Sequence, residues 1–313
     1  MNSLTAKALA LSLLLLCSCA TENLIRPRLP ADMTMNKDAG RGNLLFVTLR
    51  MKSGEKLPFI VDTGTSHTLF DKSMESKLGK CIDRYKIRRW GVKEETALYA
   101  APKLYLGSTP LMTASKIVTY DLKRLSSPAG PIMGILGMDC LEHYCIQLDF
   151  SAGKMRFLDD EHSDKQKWGR AFAVTALGPN DARPSVRENL FGAKGPGSLI
   201  DTGCNYDGWL ASKLFRQWTN HAKLPANGET RSPNGVIGGE TYPDLHLTKD
   251  PGIQVSEEDV ERNGIGLRFL ARHLVTLDFP KQTMYLRRAS IGPLVDKDME
   301  AGMIMLKHIR YNP

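Results

Sequence analysis

An all-β fold of two duplicated lobes is what this 313-residue sequence predicts, on three observations. First, an apolar strand runs straight into Asp-Thr-Gly twice, as Phe59-Ile60-Val61-Asp62-Thr63-Gly64-Thr65-Ser66 and, 139 positions later, as Ser198-Leu199-Ile200-Asp201-Thr202-Gly203-Cys204-Asn205. Second, Gly137 to Phe150 aligns without a gap against Gly266 to Phe279. Each block is a glycine that ends an apolar strand, about one turn of helix, and a strand closed by Leu-Asp-Phe. Third, no alternation of strand with long helix appears, so both sheets are mostly antiparallel. The order of elements is the same in both halves, and a repeat this long is a duplicated domain rather than a solenoid.

In chain order, residues 1–18 read as an export signal. Lys7 is a sparse positive start, and Ala8 to Leu16 is too short to span a bilayer. Leu16-Cys17-Ser18-Cys19 resembles the bacterial lipobox, which implies cleavage before Cys19 and lipidation of its thiol; an ordinary signal peptide cut nearby is the alternative. Ala20 after it resembles lipoproteins sent to the outer membrane, so the protein is expected to be lipid-anchored there, facing the periplasm. Residues 19–41, polar with Pro27 and Pro30, form a tether or an arm along the first lobe.

The first lobe is placed at 42–158. Leu44 to Leu49 and Leu57 to Val61 make a hairpin that delivers Asp62 on a strand end, and Asp71 to Leu78 forms a short helix stopped by Gly79. Cys81 to Ala101 carries Arg84, Lys86, Arg88, Arg89 and Lys93 around Tyr85, Trp90 and Tyr99. Residues 159–169 are a charged linker, 170–290 the second lobe, and 291–313 an extension. Within the second lobe, Ala171 to Leu177 is the opening strand, Trp209 to Trp218 reads as helix, and Asn234 to Gly239 as a hairpin turn.

Net charge is +8, yet no zinc-finger spacing, recognition helix or RNA-binding strand signature accompanies it. Nucleic acid is therefore not the expected partner; basic surface on an exported protein meets anionic lipid, envelope polymer or acidic substrate. Cys81, Cys140, Cys145 and Cys204 remain after the leader, in a compartment that permits disulfides, and four allow three pairings. No Cys-x-x-Cys occurs, so no metal and no cofactor is expected. A Cys-His nucleophile at Cys140 or Cys204 is a weaker alternative. His143 and His273 read as structural or surface groups.

The paired Asp-Thr-Gly turns resemble those of the aspartic peptidases, and Ile135-Leu136-Gly137-Met138-Asp139 resembles the segment that packs behind the catalytic turn in the retroviral-type unit; Gly264-Ile265-Gly266-Leu267-Arg268 keeps only its apolar-Gly part. The resemblance implies a two-lobed pepsin-like or retropepsin-like acid protease fold and an aspartic endopeptidase acting on peptide or protein. Asp62 and Asp201 would be the catalytic pair, sharing one proton because adjacent carboxylates cannot both ionise cheaply. Gly64 and Gly203 would let the lobes approach, Thr63 and Thr202 would link the turns, and Gly137 and Gly266 would permit close backbone packing. It also makes 81–101 the equivalent of a flap, with Trp90-Gly91 at the tip and Tyr85 or Tyr99 as its tyrosine; a solvated basic hairpin is the alternative. Asn234 to Gly239 is a vestigial flap or a surface hairpin. Thr65 and Cys204 stand where the family has a hydroxyl on the carboxylate, and a thiol is a weaker donor. Tyr206-Asp207 is unusual and places a further carboxylate in reach. With both turns on one chain, a monomer is expected. The other functional class is a catalytically silent envelope protein that binds peptide in the same cleft.

Overall fold

The computed structural model describes residues 29–89, 92–123, 125–127, 130–159, 161–179, 181–188, 197–216, 229–249 and 262–294. The expected leader with Cys19, Trp90 and Gly91 lie outside the described residues.

Each lobe is built on an Asp-bearing strand held between two others. In the first lobe Lys56–Val61 pairs antiparallel with Phe46–Met51 and parallel with Gly134–Leu136. In the second, Ser198–Asp201 pairs antiparallel with Asp181–Val186 and parallel with Asn263–Gly266. Phe59, Ile60 and Val61 are all buried, as are Leu199 and Ile200. A strand covered on both faces reads as an unbroken apolar run, which explains why the sequence in front of each aspartate does not alternate.

Six strands of a twelve-stranded sheet join the lobes. Their centre is the antiparallel pair Cys145–Asp149 and His273–Asp278, flanked by Lys154–Leu158 and Thr283–Arg288, with Met33–Thr34 at the outer edge and Arg170–Gly178 leading through Asp181–Val186 into the strands of the second lobe. The two central strands are the ends of the repeated blocks. Gln147 and Thr276, each ten residues past its block's glycine, are register partners, and Gln147 Nε2 donates to Thr276 Oγ1 at 3.0 Å. Equivalent residues meeting each other place the pseudo-twofold axis at this pair.

Part of 19–41 lies among the described residues. Met33 and Thr34 extend the interlobe sheet, and Met35 is buried. The predicted helix after Asp71 is a 3₁₀ turn Lys72–Met74 running into Glu75–Leu78, with Asp71 accepting from the Ser73 N–H and Gly79 closing the end at φ +85°. The predicted helix at Trp209 to Trp218 is corrected. Gly208–Leu210 is a strand, and helix occupies only 212–216 of the described residues. The hairpin Glu229–Ile237 and Glu240–Lys249 turns at Gly238-Gly239, where Arg170 Nη1 bonds the Gly238 carbonyl. That tip rests on the interlobe sheet, so it is a packed surface hairpin.

Among the described residues no helix is long and apolar enough to cross a membrane. Cys81, exposed, and Cys140 and Cys204, both buried, carry free thiols, so none of the three pairings is formed.

Candidate active site

The two Asp-Thr-Gly turns face each other across the axis, locked by reciprocal bonds. The Thr63 N–H donates to Thr202 Oγ1 at 3.0 Å and the Thr202 N–H to Thr63 Oγ1 at 3.0 Å. The hydroxyls then donate onward across the interface, Thr63 to the Ile200 carbonyl at 2.7 Å and Thr202 to the Val61 carbonyl at 2.8 Å. Both threonines are 1 % exposed, so each donor and acceptor is satisfied by the other lobe rather than by water.

The glycines do what their lack of a side chain allows. A Cβ on Gly64 would lie 2.5 Å from Asp201 Oδ1, and a Cβ on Gly203 would lie 2.4 Å from Asp62 Cγ. Each carboxyl therefore occupies the space of a side chain missing from the opposite turn. Behind the turns, a Cβ at Gly137 would meet the His67 backbone at 2.6 Å and one at Gly266 the Tyr206 carbonyl at 2.2 Å. The Met138 and Leu267 N–H groups, one residue on, donate to the Thr65 and Cys204 carbonyls at 2.9 and 2.7 Å.

Asp62 and Asp201 share a hydrogen bond. Burial is the largest cause raising both above the ordinary carboxylate range; for Asp201 the neighbouring Asp62 charge adds to it and the group is pushed up to about 7. Their other partners differ. Asp62 Oδ1 accepts from the Gly64 N–H at 2.7 Å and Oδ2 from Thr65 Oγ1 at 2.6 Å. Asp201 Oδ1 accepts from the Gly203 N–H at 2.9 Å, while Oδ2 accepts from the indole Nε1–H of Trp209 at 3.2 Å. Arg183, ion-paired to Asp181, adds a positive field at Asp62.

With this geometry in view, no family model matches the chain and no curated protein does. Among solved structures it is similar to basic 7S globulin from soybean, at a TM-score of 0.53 and 12 % identity, covering 85 % of this chain and 96 % of that one. The fold is pepsin-like. At this identity the likeness extends to the fold alone.

The remaining sequence candidates separate by position. Tyr85, on the strand Asp83–Arg89 of the hairpin completed by Val92–Ala100, is exposed with its ring 6.2 Å from His67 in the loop after Asp62. Tyr99 is not a cleft residue: it is 5 % exposed and belongs to the first lobe's core. Asp207 is likewise not a third carboxylate of the site. It is fully buried, accepting from Arg272 Nη2 at 2.7 Å and from the His246 N–H at 2.9 Å, with Arg268 Nε at 3.6 Å. The Cys204 thiol is buried, accepts from the Tyr206 backbone N–H and is pushed well above its ordinary range, chiefly by burial; Cys140 is shifted the same way, also chiefly by burial. Such thiols stay protonated and are poor nucleophiles. His273 is buried against Tyr242, its Nε2 2.7 Å from the hydroxyl, and burial lowers it to about 4.

Trp209 is the site residue that the sequence reading missed, because helical spacing from Trp209 to Trp218 masked it. A signal was present. Two residues ahead of the repeated blocks, Ile135 and Gly264 stand at equivalent places, and a glycine where the other copy has isoleucine leaves room for something large.

Proposed function

We propose that this protein is an aspartic endopeptidase that hydrolyses peptide bonds with a water activated between Asp62 and Asp201. The observation that carries the reading is the mutual embedding of the two carboxyls, each hydrogen-bonded to the other and seated against the other lobe's bare glycine. A cleft that only bound peptide would gain nothing from two carboxyls brought together at a desolvation cost.

The unequal hydrogen bonding supports a division of roles. Asp62, with the shorter donors, holds the negative charge; Asp201 holds the proton. Asp62 takes a proton from water as its oxygen attacks the peptide carbonyl carbon, and Asp201 donates its proton to the carbonyl oxygen, giving a gem-diol. Asp62 then passes its proton to the leaving nitrogen as the C–N bond breaks, and Asp201 recovers a proton from the gem-diol. The products are a carboxylic acid and an amine, and the pair again holds one proton. The exposed ring of Tyr85 beside the loop that follows Asp62 supports its proposed role as the flap residue that lies on bound peptide.

Incubation of the purified chain with a mixed peptide library from pH 3 to 8, with and without a statine-type transition-state mimic, tests the proposal. Internal cleavage suppressed by the mimic is expected; a folded sample that cuts nothing across that range sinks it.

A further inference from the structure

The two halves solve the same problem with different chemistry. In the first lobe the Thr65 hydroxyl donates to Asp62 Oδ2 at 2.6 Å. Its positional counterpart Cys204 gives no such bond, because its sulfur accepts the Tyr206 N–H and packs with Leu199 and Trp209. The donor on Asp201 Oδ2 is the Trp209 indole at 3.2 Å.

Three features put the indole there. The second turn is one residue longer: the Met138 and Asp139 N–H groups bond the Thr65 and Ser66 carbonyls, whereas Leu267 and Arg268 bond those of Cys204 and Tyr206. The extra residue advances the following strand, so that Trp209 faces Gly264 where Leu69 faces Ile135. Gly264 then supplies the space, since a Cβ there would fall 2.1 Å from Trp209 Nε1 and Cε2. The ring is 1 % exposed, so its N–H has no water to bond and the carboxyl is its partner.

We infer that Trp209 is a positioning residue that replaces the missing hydroxyl of the second turn, fixing the orientation of Asp201 through one long N–H bond and leaving it the proton-bearing member of the pair. The inference rests on the peptidase reading for its catalytic consequence, though not for its geometry. Among the described residues, the charged and titratable groups on the elements about Asp201 include Asp62 from the facing lobe, Cys204 on its own turn, Asp207 neutralised by Arg268 and Arg272, and Arg183 near Asp62; the strand Asn263–Gly266 supplies none.

The test reads the indole directly. In protein carrying ¹⁵N-labelled tryptophan, the Nε1–H signal of Trp209 is assigned by replacing each of the four tryptophans with Phe in turn. It is expected to move with pH, with a midpoint at about 7, and to stop moving in Asp201→Asn. Cys204→Thr restores a hydroxyl donor to the carboxylate and is expected to lower that midpoint by about one pH unit, since a bond to a charged group is worth roughly one to two pKa units. The basic limb of kcat/KM should descend with it. A Trp209 signal that ignores pH, one that titrates unchanged in Asp201→Asn, or a midpoint unmoved by Cys204→Thr overturns the inference. Because the signal does not depend on turnover, a chain that cleaves nothing removes the peptidase reading while this test still decides the role of Trp209.

Discussion

Asp201 sits in a place where a carboxylate is costly, and the cost has a pH signature. Its pKa in the folded protein, about 7, lies above the ordinary 3.8, so the folded state holds this proton more tightly than the unfolded chain. Stability from that difference is fully present below about pH 4, declines as pH rises toward 7, and is flat beyond. Asp201→Asn removes the ionisation while keeping shape. Thermal unfolding should therefore show wild type losing stability from pH 4.5 to 7.5 and the variant losing less. At pH 8 the variant should be the more stable by as much as about 4 kcal/mol. Parallel curves for the two proteins would mean that Asp201 is not held protonated. Under the proposed mechanism the same ionisation sets the upper limb of the pH–rate profile, because an ionised Asp201 has no proton to give.

At the scale of elements, the hairpin Asp83–Arg89 and Val92–Ala100 divides its two tyrosines between surface and core, and the proposed flap role belongs to the exposed one. Tyr85→Ala should leave stability within about 1 kcal/mol, as surface changes do, while lowering kcat/KM about tenfold. Tyr99→Ala should cost roughly 3–5 kcal/mol, the usual loss for a buried aromatic, seen as a large drop in the urea midpoint. The opposite assignment of effects would show that the hairpin presents its other face to substrate. This division was not legible in the sequence, because two tyrosines fourteen apart on a charged hairpin differ only in which way each strand faces. The Asp-bearing strands and the repeated blocks were legible because they are contiguous strings whose chemistry is local: apolar run, carboxylate, glycine. Trp209 was not, because its role depends on a one-residue lengthening of the turn and on Gly264, more than fifty positions away. Free thiols where disulfides were permitted follow from placement, since Cys140 and Cys204 are each buried without a sulfur partner.

At the scale of the whole molecule, equivalent residues meet at two levels along one axis, Thr63 with Thr202 at the turns and Gln147 with Thr276 in the sheet beneath. An arrangement closed within one chain leaves no half-site to be filled by another. Specific activity is therefore expected to be constant from nanomolar to micromolar protein, with sedimentation at the monomer's mass. Activity that falls on dilution, or that returns when Asp62→Asn and Asp201→Asn chains are mixed, would instead require the lobes to pair between molecules. The proposed anchor is checked separately. Mass spectrometry of membrane-extracted protein should find an acyl-modified Cys19 at the amino terminus, whereas an unmodified terminus elsewhere would leave an exported protein without a lipid.

In the proposed mechanism Asp62 and Asp201 of one chain form the reacting pair. The most direct measurement compares initial cleavage rates of wild type, Asp62→Asn and Asp201→Asn on one peptide that the wild-type protein cuts, with circular dichroism confirming that all three are folded. Each variant is predicted to fall below one thousandth of the wild-type rate, because either change removes one half of a shared proton site. A folded variant that keeps more than a few per cent of that rate would contradict the account.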